Sequence, residues 1–396
     1  MEFNESQKRA VRHCDGPMLL LAGPGSGKTT VITHRIKYMT EEHGVRPDNI
    51  LVITFTKAAA NEMKGRFQEL CPGTRGVTFG TFHSVFFWML RNAYNYTAAN
   101  IVTDSEKYGA IRDSIDRHGF RYDSQEDFAK NVVGEIGNVK SERVSLENYE
   151  STTMKLEDFR IVYDEYENFL RRCGKIDFDD MLVFTYELLS ERPDILKMWQ
   201  NKFRYILIDE FQDINMIQYD IVKLLAGERQ NVFSVGDDDQ SVYGFRGAAP
   251  AIMKKFPEDF HGTVIEYLNV NYRCSYDIVE CSKRIIQNNR DRYEKQLRSA
   301  FAAGQSDRVH IVKTDSMTEQ NKKIIDRITE LNRAGIPYRE MAIIFRTNTE
   351  PRALASKLME NGIPFLMKDN IPNIFTHFLA CLLYTSDAAD DMQCVD

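Results

Sequence analysis

The chain has 396 residues, 28% of them charged, and a formal net charge of −7 at pH 7. That balance argues against a protein that coats nucleic acid through a broadly basic surface, while leaving room for a narrow binding groove. Seven cysteines, an odd number without a C-x-x-C pair, point to reduced thiols and away from a disulfide frame or zinc site; with no 18-residue apolar run and no secretory leader, a cytoplasmic protein without a membrane span is expected.

The length suits two or three domains. The first element is the apolar run 18–21, read as a buried strand, followed by Ala22-Gly23-Pro24-Gly25-Ser26-Gly27-Lys28-Thr29 and a helical stretch from Thr29 to Met39. Strand, glycine-rich turn and helix in that order describe a P-loop. Its glycines permit positive φ and close backbone approach, so that successive N–H groups and the helix N-terminus face an anion. Lys28 is then expected to hold the β- and γ-phosphates of a nucleoside triphosphate, and Thr29 to ligate Mg²⁺. Ala22 departs from the G-x-x-x-x-G-K-[ST] pattern at its first glycine.

Strand-like runs recur at 50–54, 77–79, 205–208 and 232–235, which favours a doubly wound parallel sheet. Between His83 and Asp177 such runs are scarce. Phe159, Val162, Tyr163, Tyr166, Phe169 and Leu170 instead keep a helical period, so residues 91–174 are expected to form a helical insertion. Its 16 acids against 12 bases do not mark it as a DNA-binding lobe. The run 205–208 ends in Asp209-Glu210, as when a buried parallel strand delivers carboxylates to the sheet's carboxyl edge. Asp209 is expected to orient hydrated Mg²⁺, and Glu210 to polarise an attacking water. A second α/β unit is expected from Val264 onward, with strands at 309–312 and 342–345 and helix stops at Gly335-Ile336-Pro337 and Gly362-Ile363-Pro364. The last sixteen residues contain Asp387, Asp390, Asp391 and Asp396 and no Lys or Arg. Residues 383–391 resemble translated adapter read-through, and 381–396 is expected to be a non-native or disordered tail.

Further segments complete a pattern. Phe3-Asn4-Glu5-Ser6-Gln7 precedes the P-loop, while Thr54-Phe55-Thr56-Lys57-Ala58-Ala59-Ala60-Asn61-Glu62-Met63 and Gly80-Thr81-Phe82-His83-Ser84 follow it. Asp209-Glu210-Phe211-Gln212-Asp213, the stretch from Gly236 through Asp237-Asp238-Asp239-Gln240-Ser241 to Gly247, and Asn271-Tyr272-Arg273 close the series. In this order the motifs resemble the N-terminal part of a superfamily 1 DNA helicase of the UvrD/PcrA/Rep type.

The resemblance implies an α/β fold of the P-loop NTPase, RecA-like kind. Residues 1–90 and 175–263 would form the first motor domain, 91–174 its helical insertion, and 264–380 the first part of a second RecA-like domain. It also implies ATP and Mg²⁺, and movement 3′ to 5′ on single-stranded DNA and at single-strand/double-strand junctions, in repair or replication. Such an enzyme hydrolyses ATP and, by unwinding, also counts as an isomerase. Gln7 would read the adenine edge and Tyr272 would stack on the base, a buried core tyrosine being the competing reading. Thr30 and Arg35 join residues 22–29 in the nucleotide-binding set. Gln240 resembles the γ-phosphate sensor, against a plain polar turn residue. Arg273 resembles the arginine donated across the cleft, where a guanidinium fork matches phosphate geometry.

For DNA the resemblance implies contacts at Phe55, Thr81, His83, Tyr243, Phe245 and Arg246, with the aromatics as sequence-independent stacking platforms; a core role is the alternative for each. Lys57-Ala58 departs from the Asn-Lys that close relatives often place there. The family's later motifs, including a second arginine, are missing, so the chain is expected to bind ATP yet turn over poorly. Two further readings stay open: a helicase subunit of an AddA/RecB-type nuclease-helicase, and a P-loop ATPase that remodels protein partners.

Overall fold

Six short strands lie side by side in the computed structural model, which describes residues 2–120, 125–147, 149–242, 244, 251–290, 292–304, 309–347 and 350–367. They are β1 (Met18–Ala22), β2 (Ile50–Thr54), β3 (Thr78–Thr81), β4 (Tyr205–Ile208), β5 (Val232–Gly236) and β6 (Val264–Leu268). The order is β3-β2-β4-β5-β1-β6, with every pair parallel. The parallel sheet read from the sequence is therefore present. Val264–Leu268, read as opening a second unit, pairs with β1 at the edge of this first sheet. Expected contacts Tyr243, Phe245 and Arg246, and the tail 381–396, lie outside the described residues.

A parallel sheet is covered on both faces, so its strands are apolar throughout, and alternate residues feed opposite cores. Met18, Leu20, Ala22, Val52, Leu207 and Phe233 enter one core. They meet α1 (Glu5–Arg12), α2 (Lys28–Glu41) and α3 (Lys57–Leu70) through residues such as Ala10, Ile32, Ile36, Met63 and Phe67. Leu19, Leu21, Leu51, Ile53, Ile206 and Ile208 enter the other core, which α4 (Phe82–Ala93) helps to close.

The helical period after α4 is realised in α5 (Asp104–His118), α6 (Gln125–Glu142) and α7 (Leu156–Cys173). They share a core of their own around Ile111, Ile115, Val132, Ile136, Phe159 and Val162. The chain leading into this insertion and the chain leaving it touch, Ile101 bridging Ile176 in parallel and Asn100 Nδ2 donating to Gly174 O at 2.9 Å. Four helices complete the second face of the sheet: α8 (Phe178–Glu191), α9 (Pro193–Lys202), α10 (Met216–Ala226) and α11 (Ala251–Asp259). The insertion is tied to α8 by a buried ion cluster. Lys140 Nζ lies 2.6 Å from Glu167, 2.7 Å from Asp180 and 3.0 Å from Asp177, and Tyr166 Oη donates to Asp177 at 3.0 Å.

After β6 come β7 (Val270–Asn271), α12 (Tyr276–Ile286) and β8 (Arg298–Ser299), with β7 and β8 paired in parallel. The chain divides into two compact units, residues 1–309 and 310–396. In the second, α13 (Met317–Arg333) and α14 (Pro351–Glu360) pack through Ile325, Ile328, Leu354 and Leu358. Both helices end at glycines in the left-handed region, Gly335 (φ +95°) and Gly362 (φ +64°); Ile336 N donates to Leu331 O and Ile363 N to Leu358 O. Residues 309–312 and 342–345, expected as strands, carry no ladder. A strand exists only by pairing, and among the described residues no partner strand flanks them; Ile311 and Ile344 are 89% and 93% exposed. No helix among the described residues is long and apolar enough to cross a membrane.

Candidate active site

The glycine-rich turn leaves β1 at the buried Ala22 and enters α2 at Lys28. Gly25 (φ +66°) and Gly27 (φ +87°) both adopt the left-handed region, where side chains are strained. Gly25 has a second reason to lack a side chain: a Cβ there would meet Arg273 Cβ at 2.7 Å and Asn271 Oδ1 at 2.8 Å. Gly27 caps α2 with no side chain of its own, leaving the first N–H groups of that helix to an incoming anion. Ser26 is buried inside the turn, its Oγ donating to Gly23 O at 2.6 Å. Thr29 and Thr30 are half-buried in the first turn of α2.

Two carboxylates reach the same edge from β4. Asp209 is 7% exposed, and Glu210 stands in the left-handed region at φ 51°, a conformation that costs a non-glycine residue about 1–3 kcal/mol. Lys28 Nζ donates to Glu210 Oε2 at 2.8 Å. Burial and then the neighbouring Glu210 push Asp209 up to about 6. Burial acts on Glu210 in the same sense, yet the Lys28 ammonium and a hydrogen bond from Gln212 hold it below the ordinary carboxylate value. Among the described residues Asp209 Oδ1 is buried without a hydrogen-bond partner.

The Asn271-Tyr272-Arg273 segment closes over the turn. Tyr272 N donates to Gly25 O at 2.9 Å, and Asn271 Oδ1 accepts from Arg273 N at 2.8 Å and Cys274 N at 2.7 Å. Tyr272 is exposed, so it is not a core tyrosine; its hydroxyl accepts from Asn4 Nδ2 at 3.0 Å. The Arg273 side chain is exposed and pairs with no carboxylate among the described residues. Gln7 is buried in a capping box with Asn4, and its Nε2 donates to Ser26 O at 3.1 Å, which ties α1 to the turn.

Arg35, expected among the nucleotide contacts, lies elsewhere. Its guanidinium is buried, donates to Ala10 O and Cys14 O at 3.2 Å each, and sits 4.2 Å from the Phe233 ring; burial brings it down to about 10. It fastens the end of α1 to α2, because a buried cation must find acceptors where it lies.

At the end of β5, Gln240 Nε2 donates to Asp237 Oδ2 at 2.6 Å. Gln212, whose role the sequence did not announce, joins this edge to the β4 acids. Its Nε2 donates to Glu210 at 2.9 Å and to Asp213 at 3.1 Å, while its Oε1 accepts from Asp237 N at 3.0 Å. Burial and Glu210 push Asp213 up to about 6. Beside the turn lies a cavity of about 270 Å³ bordered by Gly23, Pro24, Gln240, Leu268, Ile286 and Leu297. Asn4 and Asn271 stood in recognised motifs but were given no role of their own, although Asn4 carried a readable signal in its capping-box spacing to Gln7; Arg292 and Lys295 were missed altogether.

Three of the expected DNA contacts are described. Phe55 follows β2, Thr81 ends β3, and Thr54 and Thr81 are register partners, so both stand on the carboxyl edge of the sheet. Thr81 caps α4 by accepting from Ser84 N. His83 meets Phe178 edge to face at 5.5 Å, and burial lowers its basicity.

A family model for the UvrD/REP helicase N-terminal domain matches residues 3–261, and one for the UvrD-like helicase C-terminal domain matches residues 266–376. The ATP-dependent DNA helicase PcrA of Staphylococcus epidermidis is 36% identical over 378 residues, covering 92% of this chain and 50% of the relative. The same-named protein of Staphylococcus aureus is 36% identical over 375 residues, at the same coverages. The putative ATP-dependent DNA helicase YjcD of Bacillus subtilis is 34% identical over 412 residues, covering 99% of this chain and 53% of that one. The chain thus spans about half the length of the curated relatives it matches. The two adjoining matches, N-terminal domain and then C-terminal domain, take in nearly the whole chain, which belongs to the UvrD/REP helicase family.

Proposed function

We propose that this chain is the nucleotide-binding part of an ATP-dependent helicase that moves 3′ to 5′ on single-stranded DNA and opens single-strand/double-strand junctions in the cytoplasm. Residues 1–90 and 175–268, β6 included, serve as the first motor domain, 91–174 as its insertion, and 269–380 as part of the second. The observation that carries the reading is the meeting of Lys28 with Glu210 at 2.8 Å across 182 residues of sequence. It joins a phosphate-binding turn to a strand-end carboxylate pair, as phosphoryl transfer to water requires.

Mg²⁺ fits the residues present. A buried carboxylate oxygen without a partner is costly, and Asp209 together with Thr29 would hold a cation that satisfied it. When bound, Mg²⁺ supplies charge neutralisation on the phosphoryl oxygens. The chain does the rest. Backbone N–H groups of the turn and Lys28 hold the phosphates, so Lys28 exchanges Glu210 for the anion. Glu210, released, accepts a hydrogen bond from the attacking water. Gln240 reports the γ-phosphate, Arg273 brings a guanidinium to it, Tyr272 stacks on the adenine and Gln7 reads its edge. Phe55, Thr81, His83, Tyr243, Phe245 and Arg246 line the DNA path.

The test is Lys28→Ala. Binding of a fluorescent ATP analogue should be abolished in the variant, and unchanged binding would remove the central claim.

A further inference from the structure

A ring of charge at the end of β5 has no assigned role. Asp237, Asp238 and Asp239 place carboxylate oxygens within 4.8 Å of one another. Carboxylates so close cannot all stay ionised without positive charge among them. The charge comes from far along the chain. Lys295 Nζ, in a side chain only 5% exposed, pairs with Asp237, with Asp238 at 2.5 Å and with Asp239 at 2.7 Å. Arg292 adds a fork to Asp239, with Nε to Oδ1 at 2.7 Å and Nη2 to Oδ2 at 2.6 Å. Tyr293 N donates to Asp238 at 2.6 Å. The ammonium stands where a divalent cation would otherwise be drawn, so the cluster is closed by the protein's own charge.

The geometry links that ammonium to Lys28 in the glycine-rich turn. Asp237 divides its oxygens, Oδ1 to Lys295 and to Asp239 N, and Oδ2 to Gln240 Nε2 at 2.6 Å. The Asp237 backbone donates to Gln212, Gln212 donates to Glu210, and Glu210 accepts from Lys28. One polar line therefore runs from Lys295 to the phosphate-binding lysine. The acids lie in the segment matched by the N-terminal family model, and Lys295 and Arg292 in that matched by the C-terminal one.

We propose that Lys295 is a positioning residue for sensing the nucleotide state: by fixing the Asp237 carboxylate it sets the Gln240 amide where a γ-phosphate arrives, and so separates triphosphate from diphosphate. The proposal rests on the nucleotide-binding reading above. A lysine here acts at a distance from the substrate, through one carboxylate and one amide. An ammonium reaches three acids at once from a single point, and Arg292 takes up the outer one.

Binding of fluorescent ADP and of a fluorescent non-hydrolysable ATP analogue, each with Mg²⁺, tests it on the 396-residue chain. Lys295→Met should lose about tenfold or more of the preference for triphosphate, and should add nothing further in a Gln240→Ala background, because both changes break one line. Lys295→Arg should restore most of the preference. Equal loss for both nucleotides, additive effects, or a wild-type chain without any preference would overturn the proposal. If Lys295→Met does not fold, Arg292→Gln must lower the same preference by a smaller factor, and no change there overturns it as well. Wild-type binding that survives Lys28→Ala would instead sink the underlying nucleotide reading.

Discussion

Asp209→Asn should make the nucleotide-free protein more stable near neutral pH. Asp209 is held ionised in a site where burial and Glu210 oppose its charge, raising its carboxyl from an ordinary 3.8 to about 6. Such a displacement corresponds to about 3 kcal/mol between the two protonation states, and relaxation of the site brings the expected effect to about 1–3 kcal/mol. Because the folded protein binds this proton more tightly than the unfolded chain does, Asp209's contribution to stability falls as the pH rises from about 4 through about 6. The asparagine variant lacks that slope. Its advantage should be small at about pH 4 and fully developed by about pH 7.5. Asp213 also titrates near 6 but is present in both proteins, so the difference isolates Asp209. Urea unfolding can be followed by tryptophan fluorescence, since the chain's two tryptophans, Trp88 and Trp199, lie edge to face at 4.9 Å in a core of the sheet. A stability difference that stays constant across this pH range would refute the reasoning.

Gly25→Ala should destabilise the first unit by about 1–3 kcal/mol, since it adds a left-handed φ to a Cβ contact of 2.7 Å with Arg273. The same urea titration checks it, and wild-type stability would show that the Asn271-to-Cys274 segment yields freely. Phe245→Ala should weaken binding of single-stranded oligonucleotides by about 1–3 kcal/mol, the contribution of one stacked base, with no dependence on sequence. Fluorescence anisotropy measures this, and equal affinity would favour a core role for that ring.

Local chemistry was legible in the sequence, and distant chemistry was not. The turn from Ala22 to Thr29 and the Asp209-Glu210 strand end could be read because strand, glycines and charged residues are neighbours in the chain. The strands at 309–312 and 342–345 could not be decided locally, since an apolar run becomes a strand only with a partner. The family resemblance put Arg35 in the nucleotide-binding set, yet its fate was set by the carbonyls of Ala10 and Cys14. Lys295 and Arg292 pair with acids 53 to 58 residues earlier, a separation at which no spacing rule operates. Tyr272 was ambiguous until the hydroxyl contact with Asn4 placed it at the surface.

The Lys140 cluster has a mechanical consequence. Three carboxylates share one lysine, and burial beside Asp177 leaves Asp180 raised to about 7. Pulling α6 away from α8 would strand buried charge without a counter-charge, at about 3–5 kcal/mol, several times the thermal energy available to one such contact. With Ile101 and Ile176 joined at its base and Arg143 paired with Asp220 on α10, the insertion is held at several points and should act as a stiff outrigger of the sheet. A force applied to its far helices is then delivered to Asp177 and α8, and not lost as hinge bending.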